Sequence, residues 1–191
     1  MAYYKKIIFI LFFIAVFSYT SGYSFSDEFT SRRITAGARI FRALLASDAD
    51  IADKTGNDGN IHICLVYMDS PANAERVGNI FQHREDRSIR KIDSSIKFLP
   101  LSEVLENDND DYAGIFLTQA LDDNKLRKLI NYAGRKHILV FSPFEGDVER
   151  GIQSGLSVEA QVKPYINVKA LRSAGIQLKS FVLRASKKYE N

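Results

Sequence analysis

The sequence predicts an α/β protein, a single three-layer αβα domain whose sheet is mostly parallel, with an antiparallel or edge strand near the C-terminus. Three observations lead there. Short β-branched and apolar runs with little polar alternation recur along the chain, as strands buried on both faces require. Stretches with apolar residues three and four apart alternate with them, the order that right-handed crossovers in a parallel sheet produce. Nearer the C-terminus, Leu156, Val158, Ala160 and Val162 alternate with polar residues, the pattern of a strand with one wet face.

Each element follows from its residues. Between Thr30 and Ala46, Ile34, Ala38, Phe41 and Leu45, with Ile40 and Leu44 beside them, mark a helix with one apolar face. Asp53–Asn60 is polar and contains glycine, hence a loop, and Ile61–Tyr67 is a buried strand. Ser70 and Pro71 open a second helix, since a hydroxyl can cap free amides and proline suits the first helical position; Ala74, Val77, Ile80 and Phe81 form its inner face. His83–Lys91 is a charged surface segment. Ile96–Leu99, ended by Pro100, is a second strand, and Ser102 caps a turn of helix through Leu105. The acidic loop Glu106–Asp111 leads to a strand at Ala113–Thr118. Asp122 or Asp123 caps a helix lined by Leu126, Leu129, Ile130 and Ala133, with Gly134 placed as a left-handed terminator. His137–Phe141 is the fourth strand, followed by a loop from Ser142 to Gly155. After the alternating strand, Asn167 caps a helix through Ser173, Gly175 breaks it, and Leu178, Phe181, Val182 and Ala185 line a closing helix.

The N-terminus reads as an export signal. Lys5 and Lys6 precede an apolar run, Ile7–Phe17, and then small and polar residues, an order that predicts cleavage near Ser24. The run is too short to cross a bilayer, which takes roughly 20 apolar residues. Residues 1–24 are therefore expected to be a signal peptide and residues 25–191 a domain in the periplasm, with no stable membrane insertion after cleavage. No cysteine follows the run to carry a lipid. Removing two lysines and no acid lowers the net charge from +3 to about +1. Such a chain offers no general attraction for nucleic acid. Cys64 is the sole cysteine, so no internal disulfide forms, and its place in an apolar strand makes it a small buried hydrophobe.

The usual chemical motifs are missing. His62, His83 and His137 are far apart, with no spacing that ligates zinc or iron, so no metal and no cofactor is expected. The acidic run at Asp108, Asp110 and Asp111 lacks the glycine and glutamate of a calcium loop, having Ala113 and Gln119 at those positions. There is no phosphate-binding glycine loop and no G-x-S-x-G elbow. Ser142 follows a strand, but no histidine is placed in the sequence to activate it, and a hydrolase built on it ranks last among the readings. Arg84, Arg87, Arg90 and Lys91, interrupted by Glu85 and Asp86, read as a solvated basic face. The segment Phe141–Gly151 is more distinctive. It leaves the carboxyl end of a strand, where open α/β sheets bind ligands and partners. Phe144, Glu145, Asp147, Glu149 and Arg150 are its candidate partner-binding residues. An extended backbone there would set three carboxylates on one side with Arg150 opposed, and alanine at Asp147 and Arg150 is expected to weaken binding while leaving the domain folded.

The segments Asp111–Thr118, Phe141–Gly151 and Pro164–Glu190, above all Ile166 and Asn167 followed by Leu171, Ala174, Gly175, Ile176 and Leu178, resemble the YfiR family of periplasmic regulators. With ARIFRALLASD and IHICLVY at its start, the resemblance covers nearly the whole chain after the leader. It implies a non-catalytic α/β domain, often a homodimer, that binds the extracytoplasmic sensor domain of an inner-membrane diguanylate cyclase and represses it, affecting cyclic-di-GMP signalling. Some relatives use disulfides for stability or redox sensing, which Cys64 alone does not supply. The alternative is a periplasmic small-molecule sensor or solute-binding protein.

Overall fold

In a computed structural model of the protein, residues 24–81, 88–107 and 111–190 are described. The leader, the basic positions Arg84 and Arg87 with His83, and the acidic residues Asp108 and Asp110 lie outside them. The chain divides into two compact units, residues 1–32 and residues 33–191. Of the first, only the opening residues of helix α1 (Ser24–Ser47) are described.

The second unit is the predicted sandwich. Its elements, in order, are the rest of α1, β1 (Ile61–Tyr67), α2 (Pro71–Phe81), β2 (Ser88–Ile89), β3 (Ile92–Pro100), α3 (Leu101–Glu106), β4 (Gly114–Leu117), α4 (Asp123–Arg135), β5 (Leu139–Ser142), β6 (Ser154–Val158), β7 (Val162–Asn167), α5 (Val168–Ser173), α6 (Ser180–Ala185) and β8 (Lys187–Tyr189). The strands form one sheet in the order β2-β3-β1-β4-β5-β6-β7-β8. The pairs from β3 to β6 are parallel, as is β7 with β8, while β2–β3 and β6–β7 are antiparallel.

Strand alternation sorts the core into two layers. On one face Ile61, Ile63, Leu65, Phe116 and Phe141 meet Ile34, Phe41 and Leu45 of α1 and Val77 and Phe81 of α2. On the other, Cys64, Val66, Ile115 and Val140 meet Leu101 and Val104 of α3 and Leu126, Leu129 and Tyr132 of α4. Cys64 is buried there. The first layer is aromatic at its centre: Phe116 stacks on Phe141 at 5.4 Å, and Phe41 and Phe81 each sit 5.7 Å from Phe116. Gly114 lets α1 come close, because a Cβ there would stand 2.6 Å from Phe41 and 2.8 Å from Leu45. Among the described residues no helix is long and apolar enough to cross a membrane.

Several expectations are corrected. The strand read at Ile96–Leu99 begins at Ile92, because Ser88–Lys91 is no plain surface segment but the first arm and turn of a hairpin. Arg90 and Lys91 take φ values of 52° and 70°, the type I′ turn that matches strand twist but usually carries asparagine and glycine. The alternating run Leu156–Val162 is two strands joined by a turn at residues 159–161. Helix α4 runs through Gly134 to Arg135, and the left-handed residue is His137 (φ 55°), whose Nδ1 lies 2.8 Å from the Ala174 carbonyl. Ser102 is not a cap, since α3 starts at Leu101 behind Pro100. Leu178 precedes α6, and Phe181 faces outward, 58% exposed, where an inward residue was expected. The caps at Asp122 and Asn167 form as read, each accepting from the amide three residues on, and Gly175 (φ 67°) ends α5.

The loop before β1 carries a pH-dependent contact. The Asp58 carboxylate accepts from the Asn60 backbone and side-chain amides at 3.0 and 2.9 Å, and His62 Nε2 lies 3.1 Å from both of its oxygens. The Asn60 backbone N–H, then His62, draw the Asp58 pKa from 3.8 to about 2. A depressed folded pKa gives stability that is complete above the unfolded value and is lost as pH falls through the folded one. Asp58→Asn should therefore flatten the fall in melting temperature between pH ~4 and pH ~2. Acid limbs that superimpose for both proteins would refute this.

Candidate functional site

The segment leaving β5 is compact, not extended. After Ser142 the chain turns repeatedly, with Arg150 N–H donating to Gly146 O, Gly151 to Val148 O and Ile152 to Asp147 O. Val148 and Ile152 are thereby buried. The expected row of three carboxylates does not form: Asp147 turns inward, 1% exposed, while Glu145 and Glu149 stay at the surface.

Asp147 organises the turn. One of its oxygens accepts the Ser142 hydroxyl at 2.6 Å, and the other accepts Arg150 Nη1 at 2.7 Å. The Ser142 oxygen in turn accepts the Phe144 N–H at 3.1 Å. Arg150 continues outward, its Nε on Asp123 at 2.8 Å and its Nη2 on the Leu121 carbonyl at 3.0 Å. One guanidinium thus ties the loop after β5 to the first turn of α4. Desolvation works against its charge, but Asp123 and Asp147 outweigh it and raise the Arg150 pKa above its ordinary value. From the other side, Arg33 donates to the Pro143 carbonyl at 3.0 Å and Asn167 Nδ2 to the Val148 carbonyl at 3.0 Å.

The five predicted residues therefore part company. Asp147 is a buried strut and Arg150 a clamp, while half-buried Phe144 and exposed Glu145 and Glu149 form the outward surface. Alanine at Asp147 is accordingly no clean probe of binding, because it also removes the contacts with Ser142 and Arg150 that fix the loop. Glu149 reaches Tyr165 of β7; burial, followed by this carboxylate, raises the tyrosine pKa above 10.0. Ser142 is fully buried and its hydroxyl is committed to Asp147. His62 and His137 are engaged elsewhere, with Asp58 and the Ala174 carbonyl. Among the described residues, no three His, Cys, Asp or Glu side chains gather to hold a metal.

A second place is defined by topology. The sequence adds β3 on one side of β1 and β4 on the other, so the strand order reverses between β1 and β4, where doubly wound sheets open a crevice. Here Gln119 spans it: its Oε1 accepts from the Met68 N–H at 2.6 Å and the Asp69 N–H at 3.4 Å. Beside it, the Thr118 amide and hydroxyl both donate to the Val66 carbonyl. Sequence reasoning met Gln119 only as a failed calcium ligand, since nothing local shows an amide crossing to a strand fifty residues away. At the opposite, amino ends of the strands a polar cleft of about 330 Å³ is lined by Asp53, Lys54, Thr55, Asp111, Tyr112, Lys136 and Ile138.

No protein-family model matches the chain, and no curated protein does. Among solved structures it is similar to an ABC domain from Streptococcus pneumonia in complex with L-Trp, with a TM-score of 0.53, 12% identity, and 82% of this chain covered. It spans 61% of that chain's length. It is also similar to a conserved domain protein from Vibrio cholerae, at a TM-score of 0.48 and 17% identity over 72% of this chain and 57% of the other, a likeness on which no argument rests. The first likeness establishes the class, an α/β sandwich with a mostly parallel sheet, and nothing of ligand or activity.

Proposed function

We propose that the domain is a non-catalytic periplasmic regulator that docks on the extracytoplasmic sensor domain of an inner-membrane signalling protein and represses its diguanylate cyclase output. The observation that carries this reading is the loop after β5. A rigid turn, fixed by Ser142, Asp147, Arg150 and Asp123, displays Phe144, Glu145 and Glu149 at the carboxyl edge of the sheet. A pre-ordered surface loses little conformational freedom on docking. The amide bridge of Gln119 across the neighbouring crevice favours a protein partner over a small guest there. Repression then needs only tighter binding to the inactive receptor than to the active one, about 1.4 kcal/mol for each tenfold bias.

Charge reversal of the displayed acids tests the reading. Glu145→Lys with Glu149→Lys should weaken affinity for the isolated sensor domain at least about tenfold, with melting temperature within about 2 °C of the parent. Unchanged affinity would remove the loop from the interface. Mature protein beginning near Phe25, seen by mass spectrometry of a periplasmic extract, is the matching result for location.

A small-molecule sensor is the second reading. It is favoured by the polar cleft beside Tyr112. A thermal-shift screen separates the two: stabilisation by one metabolite class supports the sensor, and stabilisation by the receptor domain alone supports the regulator.

A further inference from the structure

Cations are concentrated in the C-terminal part of the chain. Between Val158 and Glu190 stand seven lysines and arginines against two glutamates, although the whole chain carries only +3. All seven are exposed. Four of them, Lys163 on β7, Arg184 on α6, and Lys187 and Lys188 on β8, belong to the elements at the β7–β8 end of the sheet. In register, Lys187 pairs with Tyr165 and Lys188 with Ile166, so these two lysines lie on opposite faces of the edge strand. Lys163 shares the Tyr165 face, and Arg184 is exposed on α6. Lys187 is held over the Tyr165 ring at 5.1 Å and paired with Glu159 at 2.8 Å.

The large apolar side chains most exposed among the described residues belong to the same part of the chain. They are Val158 at 43%, Val162 at 48% and Phe181 at 58%. Val158 and Val162 are paired at the β6–β7 turn, and Phe181 opens α6, which packs on β7 and β8. All three stand at the ends of elements, beside a hairpin turn or at a helix start. A protein partner would have to supply a shaped pocket for each. A lipid surface adapts to exposed apolar groups, and its phosphates meet the neighbouring ammonium and guanidinium groups.

We propose that the β7–β8 edge is a peripheral docking surface for anionic lipid, with Phe181 and Val162 entering the headgroup layer and Lys163, Arg184, Lys187 and Lys188 meeting lipid phosphates. This surface lies apart from the loop after β5 and does not depend on the receptor reading. The test uses no receptor, so failure of either idea leaves the other standing.

The chain contains no tryptophan, so Phe181→Trp places a single reporter at the edge. The expected result is a blue-shifted emission with phosphatidylcholine vesicles containing roughly a third phosphatidylglycerol, little shift with phosphatidylcholine alone, and reversal at about 0.5 M salt. Because the reporter is at position 181, association through the apolar run Ile7–Phe17 leaves it unshifted. Adding Lys163→Glu, Arg184→Glu, Lys187→Glu and Lys188→Glu should weaken partitioning at least about tenfold. A control on α4, Arg127→Glu with Lys128→Glu and Arg135→Glu, should leave it within about twofold. Co-sedimentation of the unsubstituted protein with the same vesicles provides the measurement if a variant does not fold. The proposal is overturned by no shift with anionic vesicles, by equal shifts with neutral ones, or by equal loss in the α4 control. Binding of polyglutamate without binding of vesicles would also overturn it and assign the edge to an acidic protein.

Discussion

Replacing Phe116 with alanine should cost about 4 kcal/mol and lower the melting temperature by about 10 °C. Its ring is fully buried, stacked on Phe141 and flanked by Phe41 and Phe81, so truncation opens a cavity where α1, α2 and the central strands meet. Such a loss is a large share of the stability of an ordinary domain, about 5–15 kcal/mol. Phe116→Leu should recover about half of it, because more of the volume remains filled. Calorimetry of both variants decides the matter. A drop of less than about 3 °C for the alanine variant would mean that this aromatic stack is not the centre of the core.

The second large effect is expected at Asp147. Its removal leaves the buried Ser142 hydroxyl without its acceptor and takes Arg150 off the loop, a cost of about 3 kcal/mol. Arg150 keeps Asp123, so the guanidinium is not stranded. Asp147→Asn, which can still accept from Ser142 but no longer pairs a charge, should fall between. Alanine at Glu145 should change stability by no more than about 0.5 kcal/mol, as for other exposed positions. Chemical denaturation of the three variants tests the set. If Asp147→Ala kept its stability and lost only receptor binding, the residue would be a contact and not a strut.

The contrast between these residues shows what a sequence can convey. Helices with strong periodicity and strands buried on both faces were legible, because their signal is a repeat of apolar positions that burial itself imposes. The caps at Asp122 and Asn167 were legible because a short acceptor in front of an apolar run satisfies free amides within three residues. The two hairpins were not. At β6–β7 the turn is three residues long, so Val158 and Val162 fall on the same face and the alternation passes through the turn unbroken. At β2–β3 the turn is formed by Arg90 and Lys91, which carry no turn signature. Phe181 read as an inner-face residue because α6 is six residues long, too short to tell which side Val182 and Leu183 already occupy.

For the candidate site, the loop's position was legible from the strand before it, but the division of labour within it was not. Whether Asp147 or Glu149 turns inward depends on Arg150 reaching Asp123, twenty-seven residues away, and on the turns that follow Gly146. The bridge by Gln119 is of the same kind. Both are long-range polar contacts, and neither leaves a local pattern to read.

Asn167 joins three parts of this architecture. Its carbonyl oxygen holds the first turn of α5, its amide nitrogen holds the backbone at Val148, and its own N–H is taken by Gln153. The loop after β5 and the first turn of α5 are therefore joined through a single side chain. A partner that grips the loop would thus also bear on the start of α5.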